Sequence, residues 1–216
     1  NVVRGRIQES LLPIHLFWSV MDAVYRWYTA DFATSLNRVR DSLEISKKYG
    51  ALVWDARLSM QGVYASLGMG DLTVARAYLD DIAVKLNTRQ RLDASQYYYG
   101  EAYYYTVSGD LSKAENFAGK ALSFAEESGP AFPIALTSTG LAQVFFLRQK
   151  YRQAEMSVAK AASYGRQMGS FSVEMRCFFL KAQLSFARGS ERQAVQALRR
   201  GFAIGREKGY LNMDWW

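Results

Sequence analysis

The sequence predicts an all-α fold, a right-handed superhelix of about five antiparallel helix pairs with one pair every forty or so residues, running as a single solenoid domain over residues 1–216. Three observations carry this. Only three prolines occur, Pro13, Pro130 and Pro133, each where a helical run would begin and a missing N–H costs least. Glycine falls at regular intervals, as left-handed helix caps do. Small side chains recur at fixed offsets from the turns, which lets neighbouring helix backbones approach closely.

The first pair spans 13–29 and 31–48, opened by Pro13 and closed by Gly50. The second spans 51–68 and 71–87 and turns at Gly70-Asp71, where glycine ends one helix and aspartate caps the next. The third, 91–108 and 110–127, repeats that turn at Gly109-Asp110 and closes at Gly129. The fourth, 131–148 and 151–168, is opened by Pro130 and Pro133 and closed by Gly169. The fifth, 171–188 and 191–208, turns at Gly189-Ser190 and closes at Gly209, with Ser190 and Gln193 spaced as a capping box. The repeats therefore run 11–50, 51–90, 91–129, 130–169 and 170–209.

Aligning the turns exposes the internal repeat. Ser35, Ala75, Ala114, Ala154 and Ala194 share one offset; Ser42, Ile82, Ala121, Ala161 and Gly201 lie seven residues later. Ala23, Val63, Ala102, Ala142 and Ala182 occupy the matching place on the preceding helices. Only Val63 and Ile82 are bulky. A hairpin of this kind cannot bury both faces alone, so neighbouring hairpins must stack.

Composition bounds the chemistry. Half of the 216 residues are hydrophobic, enough for a sizeable core. One cysteine, Cys177, cannot form an internal disulfide, and one histidine, His15, cannot supply a metal cluster. A reducing, cytoplasmic setting is expected, with no cofactor and no metal. No stretch is apolar and long enough for a membrane span. The first residue is not methionine and the chain stops at Trp215-Trp216, which suggests a fragment of a longer protein. The net charge of +7 is uneven: residues 1–165 carry 18 basic and 16 acidic side chains, residues 166–216 carry 9 and 4. Arg188, Arg192, Arg199, Arg200, Arg206 and Lys208 belong to that basic end, which reads as a solvated helix face in preference to a nucleic-acid or acidic-partner surface.

The offsets, the stretch Gly70-Asp71-Leu72 to Ala75, and Gly109-Asp110-Leu111 to Ala114 and Ala121 resemble the tetratricopeptide repeat (TPR). The resemblance covers Leu11 to Gly209. It departs in period, forty instead of the family's thirty-four, and in the missing proline that usually closes each repeat. Long repeats of this kind, with the closing Gly209-Tyr210-Leu211-Asn212 to Trp215-Trp216, also look like the effector domain of large bacterial ATP-dependent transcription activators typified by the maltose-regulon activator with its LuxR-type DNA-binding end. That resemblance implies a sensor arm that receives an inducer or regulatory protein; the family's nucleotide-binding and DNA-binding domains are absent from these residues.

Catalysis is not expected, because one cysteine and one histidine at opposite ends of the solenoid cannot assemble a nucleophilic constellation. Gly119-Lys120 superficially matches part of a phosphate-binding loop, but Ala114 replaces its leading glycine, Ala121 its hydroxyl residue, and the segment lies within a helix. Asp80-Asp81 and Glu126-Glu127 are adjacent and so diverge on a helix. Six tyrosines on one helix, Tyr97 to Tyr99 and Tyr103 to Tyr105, exceed what a core needs, and some must face a groove or solvent.

In tetratricopeptide arrays the first helix of each pair lines the concave surface. The resemblance implies a ligand-binding groove of Trp27, Arg57, Tyr64, Tyr99, Tyr103, Gln143, Phe146, Arg176, Phe179 and Gln183. Aromatic faces with amide and guanidinium groups suit a sugar, an aromatic metabolite or an extended peptide. The leading expectation is thus a ligand- or partner-sensing domain of a transcription regulator, occupancy of the groove biasing curvature or self-association. The alternative is a scaffold docking a peptide or protein segment, and neither reading has this stretch binding membrane or nucleic acid directly.

Overall fold

Reversing the chain between two packed helices within a few residues requires one residue with positive φ, the conformation glycine adopts without steric cost. The computed structural model, which describes residues 11–213, places glycine there at Gly70, Gly109 and Gly189 within pairs and at Gly50, Gly129, Gly169 and Gly209 between or after them, with φ from 63 to 90°. Within the pairs, two turns lack glycine. Ala30 (φ 60°) and Gln149 (φ 59°) take the left-handed conformation instead. The backbone bonds that close these hairpins impose it: Asp31 N–H donates to Arg26 O (2.8 Å) and Lys150 N–H to Phe145 O (2.8 Å), as Asp71 N–H does to Ser66 O (2.9 Å).

Ten α-helices result among the described residues: α1 Leu12–Tyr28, α2 Phe32–Tyr49, α3 Asp55–Gly68, α4 Leu72–Lys85, α5 Arg91–Val107, α6 Leu111–Ser128, α7 Ala131–Leu147, α8 Tyr151–Met168, α9 Phe171–Ala187 and α10 Glu191–Lys208. The expected fold class holds, with bounds shifted by a residue or two, except at α3. There the chain first makes a 3₁₀ turn, Leu52–Trp54, before the helix starts at Asp55. Aspartate caps act as expected at Asp71 and Asp110, which accept the backbone N–H groups of Val74 and Lys113 at 3.0 and 3.1 Å, and Asp31 caps α2 in the same way, accepting from Thr34 at 3.4 Å. The expected capping box of Ser190 and Gln193 does not form, since Ser190 makes no side-chain cap hydrogen bond.

By internal contacts the chain divides into two compact units, one through Ile82 and one from Ala83, the division falling in the last turn of α4. In the first unit the core gathers Leu12, Leu16, Val20 and Ala23 of α1, Val39 of α2 and Leu58 of α3. In the second, Ala135, Ala142, Ala154, Val158, Ala161, Val173, Cys177, Leu180 and Leu184 form a cluster shared by α7, α8 and α9.

The small-residue register is what lets these helices nest. Ser35, Ala75, Ala114, Ala154 and Ala194 are all fully buried, as are Ala23, Val63, Ala102 and Ala142 facing them across their turns. Where serine replaces alanine its hydroxyl is used: Ser35 Oγ donates to Ala23 O at 3.0 Å, satisfying a polar atom buried between the two helices. Glycine extends the same logic on α8 and α10. A Cβ at Gly165 would lie 2.8 Å from Val173 Cγ1, and one at Gly201 would lie 3.1 Å from the Phe179 ring.

Candidate functional site

The residues expected to form a groove are distributed over the first helices of the pairs, as the alignment required, but they differ in access. In the first unit Trp27 on α1 is buried, whereas Arg57 and Tyr64 on α3 are part-exposed. Trp27 and Tyr64 bring their rings to 6.3 Å, and the Arg57 guanidinium lies 5.9 Å from the Trp54 ring.

In the second unit Tyr99 and Tyr103 on α5 are 2% and 4% exposed, so neither ring reaches a ligand in this conformation. Gln143 on α7 and Arg176 on α9 are also buried. Phe146 is part-exposed but packs on Tyr151 (5.8 Å) of its own hairpin, and Phe179 meets Phe202 edge-on at 5.0 Å. Gln183 is part-exposed.

The surplus tyrosines of α5 find a different use. Tyr105, Phe117, Tyr98 and Phe124 form a continuous stack along the α5–α6 seam, with centroids 5.4, 6.0 and 5.4 Å apart and interplanar angles of 2, 21 and 19°. Lys113 sits 5.0 Å from Tyr105, Lys120 5.5 Å from Tyr98, and Arg91 5.4 Å from Phe124, so cations cover the ring faces. Tyr97 donates its hydroxyl to Glu101 at 2.6 Å. Gly119-Lys120 lies inside α6, as expected. Glu126 and Glu127 diverge as adjacency on a helix demands, pairing with Lys160 of α8 and Arg91 of α5.

One concavity in the second unit was not singled out as a site by the sequence. It lies between α8, α9 and α10 and encloses about 560 Å³. Its floor is apolar, built from Val158, Ala159 and Ala162 of α8, Phe178 and Leu184 of α9, and Ala197 of α10. Arg166, Lys181, Arg188 and Arg200 line it, with Glu155 as the single carboxylate. Glu155 is taken by Arg188 in an ion pair. The groove continues into a smaller recess of about 270 Å³ that shares Arg166, Phe178 and Lys181 and adds Gly165, Phe171, Glu174 and Cys177.

Geometry fixes these side chains. Small residues on α8 and α10 let the two second helices flank α9 closely, and the i to i+3 spacing of Phe178 and Lys181 places them on one face. Lys181 Nζ lies 5.5 Å and the Arg200 guanidinium 5.8 Å from the Phe178 ring, which holds both cations at the groove wall.

Cys177 is 3% exposed, and burial pushes its thiol up to about 11. It is a neutral packing group at physiological pH, its Sγ facing Val158 O at 3.9 Å. Among the described residues no group of three or more His, Cys, Asp and Glu side chains is placed to hold a metal ion, and no helix is long and apolar enough to cross a membrane.

No family model matches the chain, and no curated protein matches it. Solved structures do. Nearly identical TPR-like repeats of a Podosopora anserina protein named for kinesin light chain superpose with a TM-score of 0.58 at 12% identity, covering 91% of this chain and 97% of that one. A single-substitution variant of the same repeats gives 0.59 with the same identity and coverage. At 12% identity these comparisons speak for architecture alone. The chain has a TPR-like helical-repeat fold.

Proposed function

We propose that the chain is a non-enzymatic docking scaffold that binds a segment of a partner protein along the groove between α8, α9 and α10. One observation carries the reading: a concave surface of about 560 Å³ joins an apolar floor to polar and charged walls, built on three packed helices and the turn between α9 and α10. Rigid walls of this kind bind without reorganisation, and a mixed apolar and charged lining suits a peptide better than a small apolar ligand. The test is a peptide-display selection against the full chain, followed by affinity measurements on a variant with Ala159→Trp. Ala159 is exposed and lines the groove, so tryptophan fills space without disturbing the core. Selected peptides should lose about tenfold or more in affinity, or about 1.4 kcal/mol. Peptides that bind the variant as tightly as the parent would place the docking surface elsewhere.

A second reading, the sensor arm of an ATP-dependent transcription regulator, draws on the first unit, where part-exposed Trp54 and Arg57 at the start of α3 and Tyr64 further along it offer aromatic faces and a cation. Those groups suit a sugar or an aromatic metabolite. The reading calls for a nucleotide-binding loop and a DNA-binding helix pair encoded beside this stretch. It also requires a thermal shift with such ligands that Arg57→Ala with Tyr64→Ala abolishes. A reading frame lacking both flanking domains, or a shift that survives the double variant, would remove it.

A further inference from the structure

We propose that the occupant of the α8–α9–α10 groove is an acidic segment of the partner protein; the inference rests on the docking reading above and names the chemistry of what docks. Besides Arg188, three cations line the groove, one from each helix: Arg166 of α8, Lys181 of α9 and Arg200 of α10. All three are exposed, and none has an acidic partner among the described residues. Elsewhere the chain neutralises many of its cations: Arg148 and Lys150 share Glu115 at 2.9 and 2.7 Å, Lys160 takes Glu126 and Arg91 takes Glu127. In the groove, the one carboxylate is consumed by Arg188, leaving the trio uncompensated.

The arrangement is fitted to carboxylates. Lys181 and Arg200 are held near the face of Phe178, which fixes their direction without consuming their N–H donors. A guanidinium so placed offers paired N–H groups to a carboxylate, and an ammonium offers a point charge beside it. The floor of Val158, Ala162 and Leu184 takes aliphatic side chains alternating with the acidic ones. A nucleic-acid strand fits less well. Phe178 does not offer the row of stacking rings that single strands use.

The test uses the full chain and a labelled peptide alternating glutamate with leucine, with two comparators in which glutamine or lysine replaces each glutamate, and a single-stranded oligonucleotide. Three proteins are compared by fluorescence anisotropy: the parent, Lys181→Glu with Arg200→Glu, and Arg192→Glu with Arg199→Glu, which carries the same charge change on exposed sites outside the groove. Circular dichroism checks that each variant keeps its helicity.

The parent should bind the glutamate peptide at least about tenfold more tightly than the glutamine peptide. The groove reversal should remove that preference, and the outside reversal should keep most of it. Raising salt from about 0.1 M to about 1 M, which shortens the screening length from about 10 Å to about 3 Å, should erase it too.

Equal binding of glutamate and glutamine peptides, both lost in Ala159→Trp, would overturn the acidic occupant while leaving the docking surface in place. Equal losses in the two charge reversals, no binding of the glutamate peptide, or tighter binding of the oligonucleotide would overturn the inference as well.

Discussion

Replacing Gly165 with alanine should destabilise the second unit even though alanine is the better helix former. Gly165 sits in the last turns of α8, fully inside the contact with α9, and an added Cβ would lie 2.8 Å from Val173 Cγ1 and 3.3 Å from Val173 Cβ. Carbon atoms pack best at about 3.5–4.0 Å, so the methyl intrudes by roughly half an ångström or more. Val173 is fully buried, and a β-branched side chain in a helix has nearly one rotamer, so it cannot swing away. Overpacking of this kind costs about 1–3 kcal/mol, while exchanging glycine for alanine returns at most about 1 kcal/mol.

The net expectation is a loss of about 0–2 kcal/mol. Gly119 supplies the reference, because it lies within α6 with nothing inside 4 Å of an added Cβ. Gly119→Ala should stabilise by about 1 kcal/mol. Urea denaturation of both variants should therefore separate them by about 1–3 kcal/mol, and Val173→Ala should lower the cost of Gly165→Ala in a double-mutant cycle. If Gly165→Ala stabilised the chain as much as Gly119→Ala, the claim that glycine is there to admit the neighbouring helix would be refuted.

Three further outcomes follow from the same contacts. Ala114→Leu and Ala154→Leu, at fully buried hairpin positions, should each cost about 1–3 kcal/mol, whereas Ala203→Leu on the exposed face of α10 should stay within about 0.5 kcal/mol; equal effects at the three sites would undo the nesting argument. The Cys177 thiol should resist Ellman's reagent until the chain unfolds. Because the folded chain holds the thiol proton more tightly, its affinity raised from 9.0 to about 11, this stabilising contribution is complete below pH 9 and is lost as pH rises through about 11; a Cys177→Ala variant with an unchanged alkaline slope would contradict that. The Asp110 carboxylate is held below its ordinary 3.8 chiefly by the Lys113 backbone N–H, so its contribution is present above that value and is lost as pH falls through the lower folded one; Asp110→Asn, which keeps a capping oxygen, should flatten the acid limb of the stability profile.

The fold was largely legible because its signals are local and repeated. Glycine in a turn and alanine at a fixed offset each answer a steric need, and both sets landed where expected, Ala114, Ala154 and Ala194 fully buried and Gly70, Gly109 and Gly189 with positive φ. What was not legible came from requirements imposed from outside the local sequence. Nothing about Ala30 or Gln149 announces a left-handed residue; closure of the hairpin sets it. The capping box failed because the Ser190-to-Gln193 spacing permits that hydrogen bond without compelling it.

The candidate site was less legible still. Helical register resolves a face to within a residue or two, and on α5 that interval separates buried Tyr99 and Tyr103 from Tyr98 and Tyr105, which stack on α6. The basic groove draws its cations from three helices and the α9–α10 turn, at residues 166, 181, 188 and 200, a set with no common period. Arg188 and Arg200 were visible as part of a basic end, but only packing of α9 between α8 and α10 shows that they share a cavity wall.

The central claim, that a partner segment docks between α8, α9 and α10, is tested most directly by methyl-resolved nuclear magnetic resonance of the full chain titrated with the glutamate–leucine peptide. Shift changes should concentrate on Val158, Ala159, Ala162, Leu184 and Ala197, with Val39, Leu58 and Val63 of the first unit unmoved. Changes that concentrate on the first unit and spare those five methyl-bearing residues would contradict the account.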